Sequence, residues 1–216
     1  MLLSYIHTRR QHIKQIKVID FEKPFAVPLP IDNTFYIGRI DKIYTDIEGI
    51  WIGEHKTTSS YKKDGGFKSN FLDSFSPNSQ IDGYMYSGTM NYGKDFAGVM
   101  VDAALVHRSV KAFKPIYIMR AEYNIEAWMW ETCYYINEIE SNGEALQDLN
   151  ILSNDYLTAF PKNTCSCSSY QGYDRCKFRQ LCKYGNLNPH TWEVVPENYV
   201  EDHWEPYDVL ELSKLK

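Results

Sequence analysis

The sequence predicts an α/β fold, a sheet flanked by helices, and three observations carry that expectation. Two runs rich in β-branched and aromatic residues, Thr34 to Thr45 and Ile50 to Lys56, flank the turn formers Asp46-Ile47-Glu48-Gly49 and read as a hairpin. A mostly apolar run, Phe96 to His107, has the composition of a strand buried on both faces of a sheet. Helical periodicity over residues 1–16, 76–92 and 125–152 supplies the covering layers.

In chain order, Leu2, Leu3, Ile6, Ile13 and Ile16 mark an amphipathic first helix. Val18 to Leu29 reads as a strand interrupted by Pro24 and closed by Pro28 and Pro30, expected to join the hairpin sheet. Ser59 to Ser76 is a loop by composition, with Lys62, Lys63 and Lys68 interleaved with Tyr61, Phe67, Phe71 and Phe75. Lysines can meet phosphates and aromatic rings can stack bases; the same pattern also fits a surface loop anchored by its phenylalanines. Ser76-Pro77 is a cap followed by a first-turn proline, and Gly83 and Gly88 are expected to let that helix approach the sheet closely. Pro115 to Tyr123 gives a strand pairing with the apolar run. Asn124 is the expected cap of the last helix, in which Trp128, Trp130, Cys133, Tyr134 and Tyr135 read as packing residues.

At 216 residues, the length fits one domain with an appendage: a core over 1–160, a cysteine segment over 161–184 and an acidic tail over 185–216. Hydrophobic residues make up 44% and aromatic residues 15%, which argues against wholesale disorder. No run approaches the roughly 18 apolar residues of a membrane span. The first ten residues lack the order of a signal peptide, so a cytoplasmic protein without membrane attachment is expected. The net charge of −5 weighs against a surface coated with phosphate-binding cations. The tail holds much of the acid, in Glu193, Glu197, Glu201, Asp202, Glu205, Asp208 and Glu211, leaving the rest nearer neutral.

Chemistry concentrates in the hairpin. A tip centred between Ile47 and Glu48 sets Asp41 opposite Glu54, roughly 5 Å apart at Cβ, where like charges repel. Lys56 shares the face of Glu54, and His55 points the other way. Two carboxylates and an ammonium at one spot suit a hard divalent cation beside a fixed positive charge. The competing reading is a solvated hairpin face with scattered charges, and a one-residue change of register would separate the pair.

Gly38-Arg39-Ile40-Asp41, Glu54-His55-Lys56-Thr57 and Gln80-Ile81-Asp82-Gly83-Tyr84, followed by a downstream cysteine cluster, resemble the PD-(D/E)XK nucleases, specifically their RecB-like exonuclease branch. The resemblance covers residues 18–184 and implies a restriction-endonuclease-like central mixed sheet. It further implies that Asp41 and Glu54 bind Mg²⁺ or Mn²⁺ by side chain and His55 by its main-chain carbonyl. Lys56 would orient or activate the attacking water, while Gln80 and Tyr84 sit on a helix beside the site. The implied activity is metal-dependent DNA exonuclease action, with single-stranded or free ends as substrate, in recombination, repair or replication. A helicase or replication protein is the implied partner, and Lys62, Lys63 and Lys68 are candidate nucleic-acid contacts. One departure stands out. Family members carry a further His or Glu ligand on an early helix, but His7, His12 and Glu22 stand in no recognisable motif, leaving open that the chain begins after that helix.

Cys165, Cys167, Cys176 and Cys182 fall within 18 residues, and such clustering in a reducing compartment reads as metal binding. Spacing alone leaves iron–sulfur and zinc open. The resemblance favours a structural [4Fe-4S] cluster, although family members usually draw one ligand from far upstream and no cysteine here precedes Cys133. Arg175, Lys177, Arg179 and Lys183 surround the cluster and read equally as a basic patch or as solvated charge. The alternative function is a noncatalytic nucleic-acid-binding or interaction module stabilised by iron–sulfur or zinc. A third reading is a nuclease fold disabled by loss of the early ligand.

Overall fold

The computed structural model describes residues 2–147 and 155–161, with single positions 176, 178, 179, 199, 200, 202 and 205. Two compact units divide after Cys133. The first contains α1 (Leu2–Gln15), β1 (Lys17–Pro28), β2 (Phe35–Thr45), β3 (Ile50–Thr58), α2 (Ser69–Asp73), α3 (Ser79–Tyr92), β4 (Phe96–Val106), β5 (Lys111–Ile118) and the start of α4 (Glu122–Gln147). Among its described residues, the second carries the rest of α4, a 3₁₀ turn over Asp155–Thr158, buried Ala159 and the stacked rings of Phe178 and Tyr199.

The strands form one sheet in the order β1-β2-β3-β4-β5, parallel between β3 and β4 and antiparallel elsewhere. The molecule is therefore α/β with a five-stranded mixed sheet and flanking helices. The single parallel pairing follows from the connection, since α3 lies between β3 and β4 and a helical crossover returns the chain in the same direction. Ile43, Ile52 and Val99 are neighbours across three strands and fully buried. On the other face Tyr44, Trp51 and Met100 form a second cluster, joined by Ile16 and Ala97.

The hairpin has the expected register, pairing Thr45 with Ile50, Tyr44 with Trp51, Ile43 with Ile52 and Lys42 with Gly53. The Asp46 carboxylate holds the tip, accepting from the Glu48 N–H at 2.8 Å and from Trp51 Nε1 at 3.0 Å. Gly83 and Gly88 do permit close approach: a Cβ at either would collide with the ring of Tyr36 or Phe96.

Several boundaries differ from expectation for physical reasons. β1 runs unbroken through Pro24, which is tolerated because β1 is an edge strand. Asn78, not Ser76, caps α3, its Oδ1 accepting from the Ile81 N–H at 3.1 Å. β5 starts at Lys111 and ends at Ile118, and α4 begins at Glu122, so Asn124 lies inside the helix rather than capping it. The 59–76 loop contains α2, with Phe67 and Phe75 buried and Phe71 packed between their rings. These rings anchor the loop, and the two buried ones have no face free for a base. α1 is helical as expected, yet Leu3 is 83% exposed while Arg9 is its buried residue. An ion-pair partner beneath the helix draws Arg9 inward. No helix among the described residues is long and apolar enough to cross a membrane.

Candidate metal-dependent active site

Side chains alternate along β3, so Glu54 and Lys56 project from one face and His55 from the other. Pairing between β2 and β3 stops at Lys42 and Gly53, one step short of Asp41 and Glu54. Instead, Asp41 Oδ2 accepts from the His55 main-chain N–H at 3.0 Å. The mutual repulsion of two aligned carboxylates is relieved by this turn of Asp41 onto the backbone. A residue's N–H and C=O lie on the same edge of a strand. The His55 carbonyl therefore faces the gap where the ladder has ended, beside Asp41. The strand geometry thus brings Asp41, Glu54 and the His55 main chain to one place, while the His55 imidazole is exposed on the other face.

Lys56 Nζ lies 2.6 Å from Glu54 Oε1 and donates to Gln80 Oε1 at 2.8 Å. Gln80 Nε2 in turn donates to Glu54 Oε1 and to the Tyr84 hydroxyl, both at 3.2 Å. Tyr84 donates to the Arg39 carbonyl at 3.1 Å, fastening α3 to β2. Gln80 and Tyr84 stand one helical turn apart, which makes this chain of contacts possible. Burial, reinforced by the charge of Glu54, pushes the Tyr84 hydroxyl pKa well above its usual value, so it stays protonated and serves as a donor.

Glu54 is 4% exposed, and its Oε2 is buried without a hydrogen-bond partner among the described residues. A buried carboxylate oxygen left unpaired is costly, and a cation would satisfy it. Among the described residues, no three His, Cys, Asp or Glu side chains gather as a ready metal cage. The candidate donors along this edge, the Asp41 and Glu54 carboxylates and the His55 carbonyl, are all hard oxygen ligands. That set fits Mg²⁺ or Mn²⁺, which retain waters and take only one or two carboxylates.

The lysine-bearing loop packs beside this arrangement. Phe67 lies on Ala103 and Leu105, and Ala103 is the register neighbour of Lys56. Lys62, Lys63 and Lys68 are exposed on that loop. His12 does not join the site: it sits against Tyr44 on the opposite face, its ring centroid 5.6 Å away, and burial beside Arg9 and Lys42 lowers its pKa. His7 and Glu22 are exposed. Cys165, Cys167 and Cys182 lie outside the described residues; Cys176 lies within them and is half-buried.

Sequence reasoning missed the opposite face. Asp102 of β4, the register neighbour of His55, pairs with Arg9 Nε at 3.5 Å and accepts from the Tyr5 hydroxyl at 2.5 Å. The available signal was one acid inside an otherwise apolar strand, which demands a partner from a neighbouring element.

No protein-family model matches the chain, and no curated protein does. Among solved structures, a protein titled "Putative exonuclease" from Eubacterium rectale is similar at 12% identity and a TM-score of 0.41, over 60% of this chain and 46% of that one. The protein SSO0001 is similar at 15% identity and a TM-score of 0.33, over 62% of this chain and 56% of that one. The chain thus spans about half the length of these two structures.

Proposed function

We propose that this chain is a divalent-metal-dependent DNA exonuclease. The observation that carries the reading is the unpartnered, buried Glu54 Oε2, on a residue whose other carboxylate oxygen lies 2.6 Å from Lys56 Nζ and whose chain neighbour His55 bonds Asp41. Asp41, Glu54 and the His55 carbonyl would hold Mg²⁺ or Mn²⁺. A bound ion of this kind polarises a phosphoryl oxygen and lowers the pKa of its water.

The remaining work falls to the chain's own groups. Lys56 is 32% exposed at its side chain, so its ammonium reaches the solvent boundary where a phosphate would arrive. There it holds the attacking water and offsets charge developing on the phosphoryl oxygens. Gln80 fixes Lys56 and Glu54 relative to each other through its two amide atoms. Tyr84 fixes Gln80, and the exposed lysines of the 59–76 loop supply phosphate contacts that bring in the strand. The DNA substrate and the preference for free ends rest on the motif resemblance, as does a structural iron–sulfur cluster at the four downstream cysteines.

End-labelled single- and double-stranded DNA incubated with the full chain in Mn²⁺ tests the reading. Wild type should shorten the DNA from an end, and Lys56→Ala should lower the rate by about 10²–10³-fold, the usual loss on removing a group that stabilises transition-state charge. Intact DNA after prolonged incubation with wild type would overturn it.

A further inference from the structure

A cavity of about 640 Å³ opens where the N-terminal turns of α3 and α4 meet the end of β5. That volume falls within the roughly 300–1,000 Å³ typical of small-molecule pockets. From α4 it is lined by Asn124, Ala127, Trp128 and Glu131, positions that share one helical face. α3 contributes Ser79 and Asp82. Gln80 lies between these two in sequence and contacts Lys56 and Glu54, so one turn of α3 borders the cavity and also reaches the candidate active site through Gln80.

The walls are held rigidly. Trp128 is nearly buried, its Nε1 donates to Ser79 Oγ at 3.0 Å, and Tyr36 meets its ring edge-on with centroids 5.1 Å apart. Arg120 is fixed by Asp82 at 2.7 Å, which also neutralises it. Glu131 then leaves the lining with a net negative charge, unfavourable for phosphate. The Asn124 amide and the Glu131 carboxylate make no side-chain hydrogen bond among the described residues, so a donor–acceptor group and an acceptor remain available beside the apolar surfaces of Pro77, Met119 and Ala127. A flat, uncharged group with donors and acceptors on its edge matches this lining.

We propose that the cavity takes one nucleobase of the bound strand while the neighbouring phosphate lies at Lys56. The inference rests on the nuclease reading for its ligand, and it makes the pocket a determinant of how the strand is held.

Anisotropy of a labelled single-stranded oligonucleotide on the wild-type chain in Ca²⁺, with one abasic position walked along the DNA, tests it. One abasic position should weaken binding about fivefold or more, the loss of about one hydrogen bond together with the apolar contact of the base. Ala127→Trp, which fills the cavity, should bring intact DNA down to that same affinity and make the abasic position silent. Asn124→Ala, at an exposed helical position that tolerates alanine, should weaken intact DNA about 2–10-fold, the loss of one hydrogen bond. A flat abasic profile, no binding, or intact DNA bound equally well by Ala127→Trp would overturn the subsite. Cleavage in Mn²⁺ run in parallel separates the two readings: cleavage with a flat profile sinks the subsite alone, whereas position-specific binding without cleavage sinks the nuclease reading alone.

Discussion

The two faces of the sheet each bury one acid on an inner strand, Glu54 at 4% exposure and Asp102 at 3%, yet only one of them is equipped for chemistry. Glu54 has a second carboxylate, Asp41, on the adjoining strand and a single ammonium, Lys56, that reaches solvent. Asp102 faces Arg9, whose side chain is 6% exposed, and feels the Lys42 ammonium as well. Counting only these groups, the first face carries an excess negative charge and the second an excess positive one. A divalent cation is drawn to the former, whereas at the latter Arg9 already offsets the acid. Both acids have an ion-pair partner and both leave one buried oxygen without a hydrogen bond among the described residues, Glu54 Oε2 and Asp102 Oδ1. Burial of an acid is therefore no guide to function until the surrounding charges are counted.

Substituting each acid sharpens that contrast. Asp102→Ala strands Arg9 in the interior and should lower unfolding free energy by about 3–5 kcal/mol, read from urea denaturation. Glu54→Gln removes a buried charge with an unpartnered oxygen, and Lys56 can turn to solvent, so stability should hold or rise. Cleavage and calorimetric Mn²⁺ binding should nevertheless vanish in Glu54→Gln. Equal destabilisation by the two substitutions would mean that Glu54 is structural like Asp102, and the asymmetry between the faces would be lost.

The first face was legible in the sequence because its parts are local. Asp46 to Gly49 set a tight turn, the turn set the register, and period-two alternation put Glu54 and Lys56 together. Gln80 and Tyr84 were readable as one helical face. What alternation could not show is that pairing would cease at Lys42 and Gly53 and free Asp41 to bond the His55 N–H, an outcome of charge repulsion in three dimensions. The second face was illegible for the opposite reason. Tyr5 and Arg9 meet Asp102 across more than 90 residues of chain, and apolar spacing in α1 pointed to Leu2, Leu3 and Ile6 as the buried side. A single long-range ion pair outweighed that pattern.

Tyr84→Phe acts on the first face more gently. It deletes the hydroxyl that donates to the Arg39 carbonyl and accepts from Gln80. The expected stability loss is about 1 kcal/mol, the net value of a typical hydrogen bond. With Gln80 less constrained, the Lys56 ammonium is held in a wider range of positions, so kcat should fall further than substrate affinity. A change confined to KM would place Tyr84 in DNA binding instead.

The smallest effect belongs to the second face and appears only in alkali. Burial, helped by the hydrogen bond to Asp102, pushes the Tyr5 hydroxyl pKa up to about 12, against 10 in the unfolded chain. Its contribution is fully present below pH 10 and lost as pH rises toward 12, because the unfolded chain releases the proton first. Tyr5 is partly solvent-accessible, so screening keeps the effect small. In Tyr5→Phe, the decline of urea stability between pH 10 and 12 should be shallower than in wild type. Superimposable profiles would show that the hydroxyl does not help hold α1 on the sheet, and Arg9 alone would then account for the buried acid on that side.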